Sequence, residues 1–142
     1  MSGRFFLDTN IFVYDFDVSE PRKTKRASAL IRRAINSKRG VVSYQVVQEF
    51  LNLVFKKFAK PMPALEAERY LFSVFRPLLS VHSSPRLFLK AIELREAHRL
   101  SWYDSLIVAA ALEAECETLY SEDLQAGKKV EGLRIENPFA PQ

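Results

Sequence analysis

Arg4-Phe5-Phe6-Leu7-Asp8-Thr9-Asn10 decides the fold class. Phe5, Phe6 and Leu7 are apolar without alternation, the pattern of a short strand buried on both faces. The run ends abruptly in Asp8-Thr9-Asn10. Asn10 is a favourable N-cap, so a brief helix is expected from Ile11.

Outward from this strand the same alternation repeats. Ser19-Glu20-Pro21 signals a helix start, with proline favoured in the first turn. Ala27, Leu30, Ile31, Ala34 and Ile35 follow at helical spacing, and Gly40 is expected to stop the run. Val41-Val42 reads as a second strand, and Ser43 as the cap of the next helix. The apolar stripe of that helix is Val46, Val47, Phe50, Leu51, Val54, Phe55 and Phe58. Pro61 and Pro63 mark a loop too short to divide the chain into domains. A helix through Leu65–Phe75, a strand at Leu78–Val81 and a helix from Ser83-Ser84-Pro85 to about Arg99 come next. Ser101 opens a further helix whose Leu106–Leu112 stretch is apolar on every side and therefore buried. Thr118-Leu119-Tyr120 and Leu133-Arg134-Ile135 complete the strands. Strands alternating with helices imply an α/β fold, a mostly parallel sheet wrapped by helices, in a single domain over residues 1–142.

Composition narrows the chemistry. Among 142 residues, one cysteine (Cys116) excludes an internal disulfide framework and any Cys₄ or Cys₂His₂ zinc site. Cys116 reads instead as a small buried hydrophobe. Two histidines, His82 and His98, leave little for imidazole chemistry. The four glycines are too scattered for a phosphate-cradling loop. Any catalysis must come mainly from carboxylates. Residues 1–60 hold 12 Lys and Arg against 5 Asp and Glu, while residues 61–142 hold 9 against 12. The net +4 and the pI near 9.3 fit an anionic partner, of which nucleic acid is the commonest. No apolar run reaches the ~18 residues needed to span a bilayer, and no signal pattern opens the chain, so no membrane association and a cytoplasmic location are expected.

In parallel sheets, ligands collect at the carboxyl ends of the strands. Asp8 ends the first strand, Asp123 follows Thr118–Ser121, and Asp104 lies in the first turn of a buried helix. Each acid also has an ordinary local role available. Asp8 suits an Asx-turn, Asp104 completes a capping box with Ser101, and Asp123 suits a turn cap. Glu49 shares a polar face with Gln45, Asn52 and Lys56, yet lies within ~60° of Val46 and Leu53 at 100° per residue. Taken together, carboxylates converging from separate elements suit a nuclease, because Mg²⁺ and Mn²⁺ prefer hard oxygen ligands. Such metals activate water and stabilise the leaving oxygen of a phosphodiester.

Phe6-Leu7-Asp8-Thr9-Asn10, Ser43 with Glu49, Tyr103-Asp104-Ser105-Leu106-Ile107-Val108-Ala109-Ala110-Ala111 and Leu119-Tyr120-Ser121-Glu122-Asp123-Leu124 resemble the PIN-domain ribonucleases. Within that superfamily the chain is similar to the VapC-type toxins of type II toxin–antitoxin pairs, down to the closing Gly132-Leu133-Arg134-Ile135-Glu136-Asn137-Pro138-Phe139. The resemblance covers the whole chain in order. It implies a three-layer α/β/α sandwich, a metal-dependent endoribonuclease using Mg²⁺ or Mn²⁺, an RNA substrate, a homodimer and a cognate antitoxin. Matched residue by residue, Asp8, Glu49, Asp104 and Asp123 become the acidic quartet that holds metal. Thr9, Asn10 and Ser121 fall at the orienting positions, and Asp123 is favoured over its neighbour Glu122.

Other features compete. Asp15-Phe16-Asp17-Val18-Ser19 fits the pattern of aspartyl-phosphate phosphatases, which requires a strand at Ile11–Tyr14. Arg22, Lys25, Arg26, Arg32 and Arg33 form one basic helix region that suits either an RNA backbone or plain solvation. Trp102 and Tyr103 adjoin Asp104, as base-stacking groups or as core. A PIN nuclease of RNA processing without an antitoxin, and a non-catalytic RNA-binding module, are the alternative functions. The intact quartet disfavours the second.

Overall fold

The computed structural model describes residues 2–141. Its sheet has six strands: β1 (Phe5–Leu7), β2 (Gly40–Ser43), β3 (Leu79–Val81), β4 (Thr118–Tyr120), β5 (Lys129–Val130) and β6 (Leu133–Glu136). Their spatial order is β3-β2-β1-β4-β6-β5, parallel throughout except that β5 runs antiparallel to β6. The helices are α1 (Thr9–Phe16), α2 (Pro21–Ser37), α3 (Tyr44–Lys56), α4 (Ala64–Tyr70), α5 (Arg76–Leu78), α6 (Pro85–His98) and α7 (Trp102–Glu113). Together they form the three-layer α/β/α sandwich expected of the sequence. The sheet centre is fully apolar: Phe6, Leu7, Val42 and Leu119 are inaccessible to solvent. That burial on both faces is why these strands show no alternation.

Several local expectations are corrected. Helix α1 begins at Thr9, and Asp8 rather than Asn10 is its N-cap, because the Asp8 carboxylate accepts the Thr9 N–H at 2.7 Å. Helix α2 ends at Ser37 with Lys38 in the left-handed conformation (φ 60°), so Gly40 does not stop it. Gly40 instead opens β2, where a Cβ would lie 2.2 Å from that of Ala34. Glycine there lets α2 lie flat on the sheet. Ser43 precedes α3 as expected, but its hydroxyl makes no capping bond. The expected Leu65–Phe75 helix is α4 continued through a π-helical turn (Leu71–Phe75) into α5. The widening precedes Pro77, which has no N–H to return to the turn before it. Phe12, Phe50, Tyr70 and Phe75 pack there as an aromatic cluster, with Phe50 and Tyr70 stacked at 4.9 Å.

The phosphatase reading fails on conformation. Ile11–Tyr14 is helical, and Asp15 accepts hydrogen bonds from the Ser28 hydroxyl (2.5 Å) and the Tyr70 hydroxyl (2.9 Å). Asp15 is therefore a tie between α1, α2 and α4. Cys116 is buried, and burial pushes its thiol up to about 12, which leaves it unreactive. Among the described residues, no helix is long and apolar enough to cross a membrane.

Candidate functional site

β1 is the central strand from which the chain first builds outward through β2, and to which it returns on the other side as β4. The carboxyl ends of β1 and β4 therefore open side by side at the reversal of strand order, where α/β sheets leave a crevice. Asp8 leaves β1 and Ser121 leaves β4, and the Ser121 hydroxyl donates to Asp8 at 2.8 Å. The turn after Ser121 carries Asp123, whose carboxylate accepts from Asn10 Nδ2 at 2.7 Å. Glu49, in α3, accepts from the Thr9 hydroxyl at 2.9 Å and lies 3.5 Å from Gln45 Nε2. Asp104 stands in the first turn of α7, whose N-cap Ser101 accepts the Asp104 N–H at 3.1 Å. A cleft of about 200 Å³ is lined by all four acids together with Thr9, Asn10, Gln45, Leu53, Tyr103 and Ile107. Two larger grooves lie elsewhere, one over β4–β6 beside Arg33 and one between α6 and α7. Neither contains any of the four acids.

Residues 5–131 match the family described as PIN domain. The chain belongs to the PIN-domain family. No curated protein matches the sequence significantly. A toxin–antitoxin complex from Klebsiella pneumoniae shares the fold with a TM-score of 0.65 at 17% identity, over 94% of this chain and 97% of that one. VapBC2 from Rickettsia felis, bound to a DNA fragment from its promoter, gives 0.62 at 21% identity, over 94% and 97%. VapC20 from Mycobacterium tuberculosis, a sarcin–ricin loop cleaving toxin, gives 0.60 at 21% identity, over 84% and 89%. At these identities the likeness is one of fold.

The cleft of this PIN domain is electrostatically frustrated. Burial raises the Asp8 carboxyl from 3.8 to about 6, against the opposing effect of its bonds from Ser121 and Thr9. Glu49 and Asp123 push it further in the same direction. Glu49 is raised too, first by burial, then by Asp104 and Asp123, while Thr9 and Gln45 pull it down. Like-charge coupling thus runs through all four acids. Hard carboxylate oxygens around a polar cleft are the donor set that Mg²⁺ or Mn²⁺ takes. Among the described residues, no three acidic, His or Cys side chains are gathered tightly enough to grip a bare ion. Mg²⁺ does not require such a cage, since it keeps several waters and takes one or two carboxylates directly. The residues therefore fit a hydrated divalent ion.

Of the other residues singled out from the sequence, Tyr103 lines the cleft and the rest fall outside it. Glu122 turns to Tyr14 and Lys23. Arg22 and Arg26 donate to the Phe139 and Pro138 carbonyls, fastening the C-terminal segment to α2. Arg33 donates to the Tyr120 hydroxyl and lies 4.7 Å over the Phe5 ring. Lys25 and Arg32 are exposed, and none of the five basic residues lines the cleft. Trp102 packs towards Phe88, whereas Tyr103 is 64% exposed at the mouth of the cleft. Sequence reading missed Gln45, which is buried and bridges Glu49 to the Tyr103 carbonyl at 3.2 Å. Its signal was the four-residue step to Glu49, which stacks the two on one helix face.

Proposed function

We propose that this PIN domain is a metal-dependent endoribonuclease, the toxin of a type II toxin–antitoxin pair acting in the cytoplasm. Asp8, Glu49, Asp104 and Asp123 hold Mg²⁺ or Mn²⁺, and the cleft hydrolyses RNA phosphodiester bonds. One observation carries the reading: four carboxylates from four separate elements line a single cleft at the carboxyl edge of the sheet. Carboxylates confined together without a cation repel one another, by about 3 kcal/mol for a pair ~5 Å apart at an effective dielectric near 20. A structural role alone offers no reason to keep them so.

The bound ion would supply a water of lowered pKa and a counter-charge for the leaving oxygen. Thr9 fixes the Glu49 carboxylate, Asn10 fixes Asp123 and Ser121 fixes Asp8, each through one hydrogen bond. Asp8 and Glu49 are raised carboxyls, so their ionisation is coupled to occupation of the cleft by a cation. Tyr103, exposed at the mouth, offers a ring on which a base of the strand can stack. A shared fold with proteins described as toxin–antitoxin complexes supports an antitoxin partner, and a homodimer is what the family resemblance implies. A shared fold with the sarcin–ricin loop cleaving toxin supports RNA as the substrate.

The test is controlled expression of wild type and Asp8→Ala, with total RNA mapped for new 5′ ends. Discrete cuts and growth arrest with wild type, both lost in Asp8→Ala, are expected. Identical RNA profiles and identical growth would remove the toxin reading.

A further inference from the structure

Glu122 adjoins Asp123 in sequence, is only 21% exposed, and is not part of the cleft lining. Its carboxylate is held on both oxygens. The Tyr14 hydroxyl donates to Oε1 at 2.6 Å, and Lys23 Nζ lies 2.7 Å from Oε2. Lys23 also donates to the Tyr14 hydroxyl at 3.2 Å and sits 4.8 Å over the Tyr14 ring. The Tyr14 ring in turn meets Phe139 edge-on at 4.9 Å. On α1, Tyr14 follows Asn10 by four residues, so both project from one face. That face grips two consecutive acids, Asn10 holding Asp123 and Tyr14 holding Glu122.

We propose that Tyr14, Lys23 and Glu122 are positioning residues for Asp123. Their ion-paired cluster sets the turn after β4 on α1, so that the Asp123 carboxylate stands in the cleft. The proposal rests on the reading of Asp123 as a site residue.

The buried Leu124 returns its N–H to the Ser121 hydroxyl at 3.3 Å, so the turn is held at both ends and the Glu122 cluster fixes its middle. β4 is three residues long, and beyond it Ser121 is tied by its N–H to the Glu136 carbonyl at 2.9 Å and by its hydroxyl to Asp8. Asp123 itself is exposed, and Asn10 is its one hydrogen-bond partner among the described residues. A single bond to an exposed carboxylate leaves its rotamer free to swing into solvent. The Glu122 cluster fixes the backbone one residue away, so the Asp123 Cα stays where its carboxylate can reach Asn10 and the cleft. Lys23 has a second effect: it cancels the charge of Glu122, so a fifth carboxylate does not add to the repulsion within the cleft.

The experiment uses the full chain with Glu122→Gln, Lys23→Met, Lys23→Arg, Tyr14→Phe and Asp123→Asn. Two readouts are taken for each. One is the midpoint of a Mn²⁺ titration followed by thermal shift without RNA. The other is kcat and KM on an RNA oligonucleotide. Groups that orient metal-binding side chains typically cost 10–100-fold when removed. Glu122→Gln and Lys23→Met are expected to raise the Mn²⁺ midpoint and lower kcat by about 10-fold or more, with KM little changed. Tyr14→Phe should show a smaller effect, and Lys23→Arg should restore most of both quantities. If the variants lose only metal-free melting temperature, with midpoint and kcat at wild-type values, the cluster is a structural tie and the proposal falls. If Asp123→Asn also leaves midpoint and kcat unchanged, the reading of Asp123 as a site residue falls with it.

Discussion

Asp8→Asn should make the metal-free protein more stable at neutral pH, and the gain should disappear on acidification. The Asp8 carboxyl is raised from 3.8 to about 6, chiefly by burial. Below pH 4 both the folded and the unfolded chain carry this proton, and the group contributes nothing. Between pH 4 and 6 the unfolded chain loses the proton first, so folding stability falls as the pH rises. Above pH 6 the whole penalty is present, about 3 kcal/mol for a shift of this size at 1.36 kcal/mol per unit. Asparagine has no such proton. It keeps the oxygen that caps Thr9, and the Ser121 hydroxyl can turn to accept from the new amide. Losing a negative charge at the N-terminus of α1 costs back about 0.5–1 kcal/mol. The net gain at pH 7 is about 2 kcal/mol. For a chain of this length the unfolding entropy is about 0.3 kcal/mol per degree, so the expected rise in Tm is about 6 °C. Melting curves of both proteins in EDTA at pH 4, 5, 6 and 7 measure it. Groups not coupled to Asp8 cancel in the difference, which isolates position 8 together with its like-charge coupling to Glu49 and Asp123. A difference that stays flat from pH 4 to 7, or an Asp8→Asn protein less stable at pH 7, would refute the frustration argument.

Two further outcomes follow from the same geometry. Mn²⁺ or Mg²⁺ at about 100 times its Kd should stabilise the wild type by about 2.7 kcal/mol, or roughly 9 °C in Tm. The rise should be much smaller in Asp8→Asn, and a wild-type Tm indifferent to divalent ions would count against the site. Gly40→Ala places a Cβ 2.2 Å from that of Ala34, so α2 must lift from β2. Overpacking of this kind costs about 1–3 kcal/mol or more, read as a lowered urea midpoint with activity retained by the folded fraction.

The central strands β1 and β2 were legible because they are short, unalternating and bounded by polar residues. Phe5-Phe6-Leu7 and Val41-Val42 could be placed from composition alone. The errors lie where a local signal has two physical uses. Asn10 is a good cap by type, but Asp8 is two residues closer to the strand end, and its carboxylate takes the first free N–H of α1. With the cap supplied by Asp8, the Asn10 amide donates to Asp123 instead. Gly40 looked like a helix stop, yet its lack of a Cβ serves contact with Ala34 while Lys38 makes the turn. β5 spans two residues, too few for any period to register.

The four acids singled out in the sequence line one cleft. Asp8 is both a cap and a cleft carboxylate, and Asp104 is both a first-turn acid and a cleft carboxylate. A capping reading and a site reading therefore do not compete, because the same helix N-termini that favour an acid aim it over the edge of the sheet. Strand-end position alone does not separate Glu122 from Asp123; the resemblance does, by favouring Asp123. Both are acids after the same strand, one residue apart. The difference is made by Lys23 and Tyr14, about a hundred residues earlier in the chain. They take Glu122 out of the cleft and leave Asp123 in it. A lysine on the second helix thus holds Glu122 away from the cleft, which is the physical counterpart of the motif resemblance that favours Asp123.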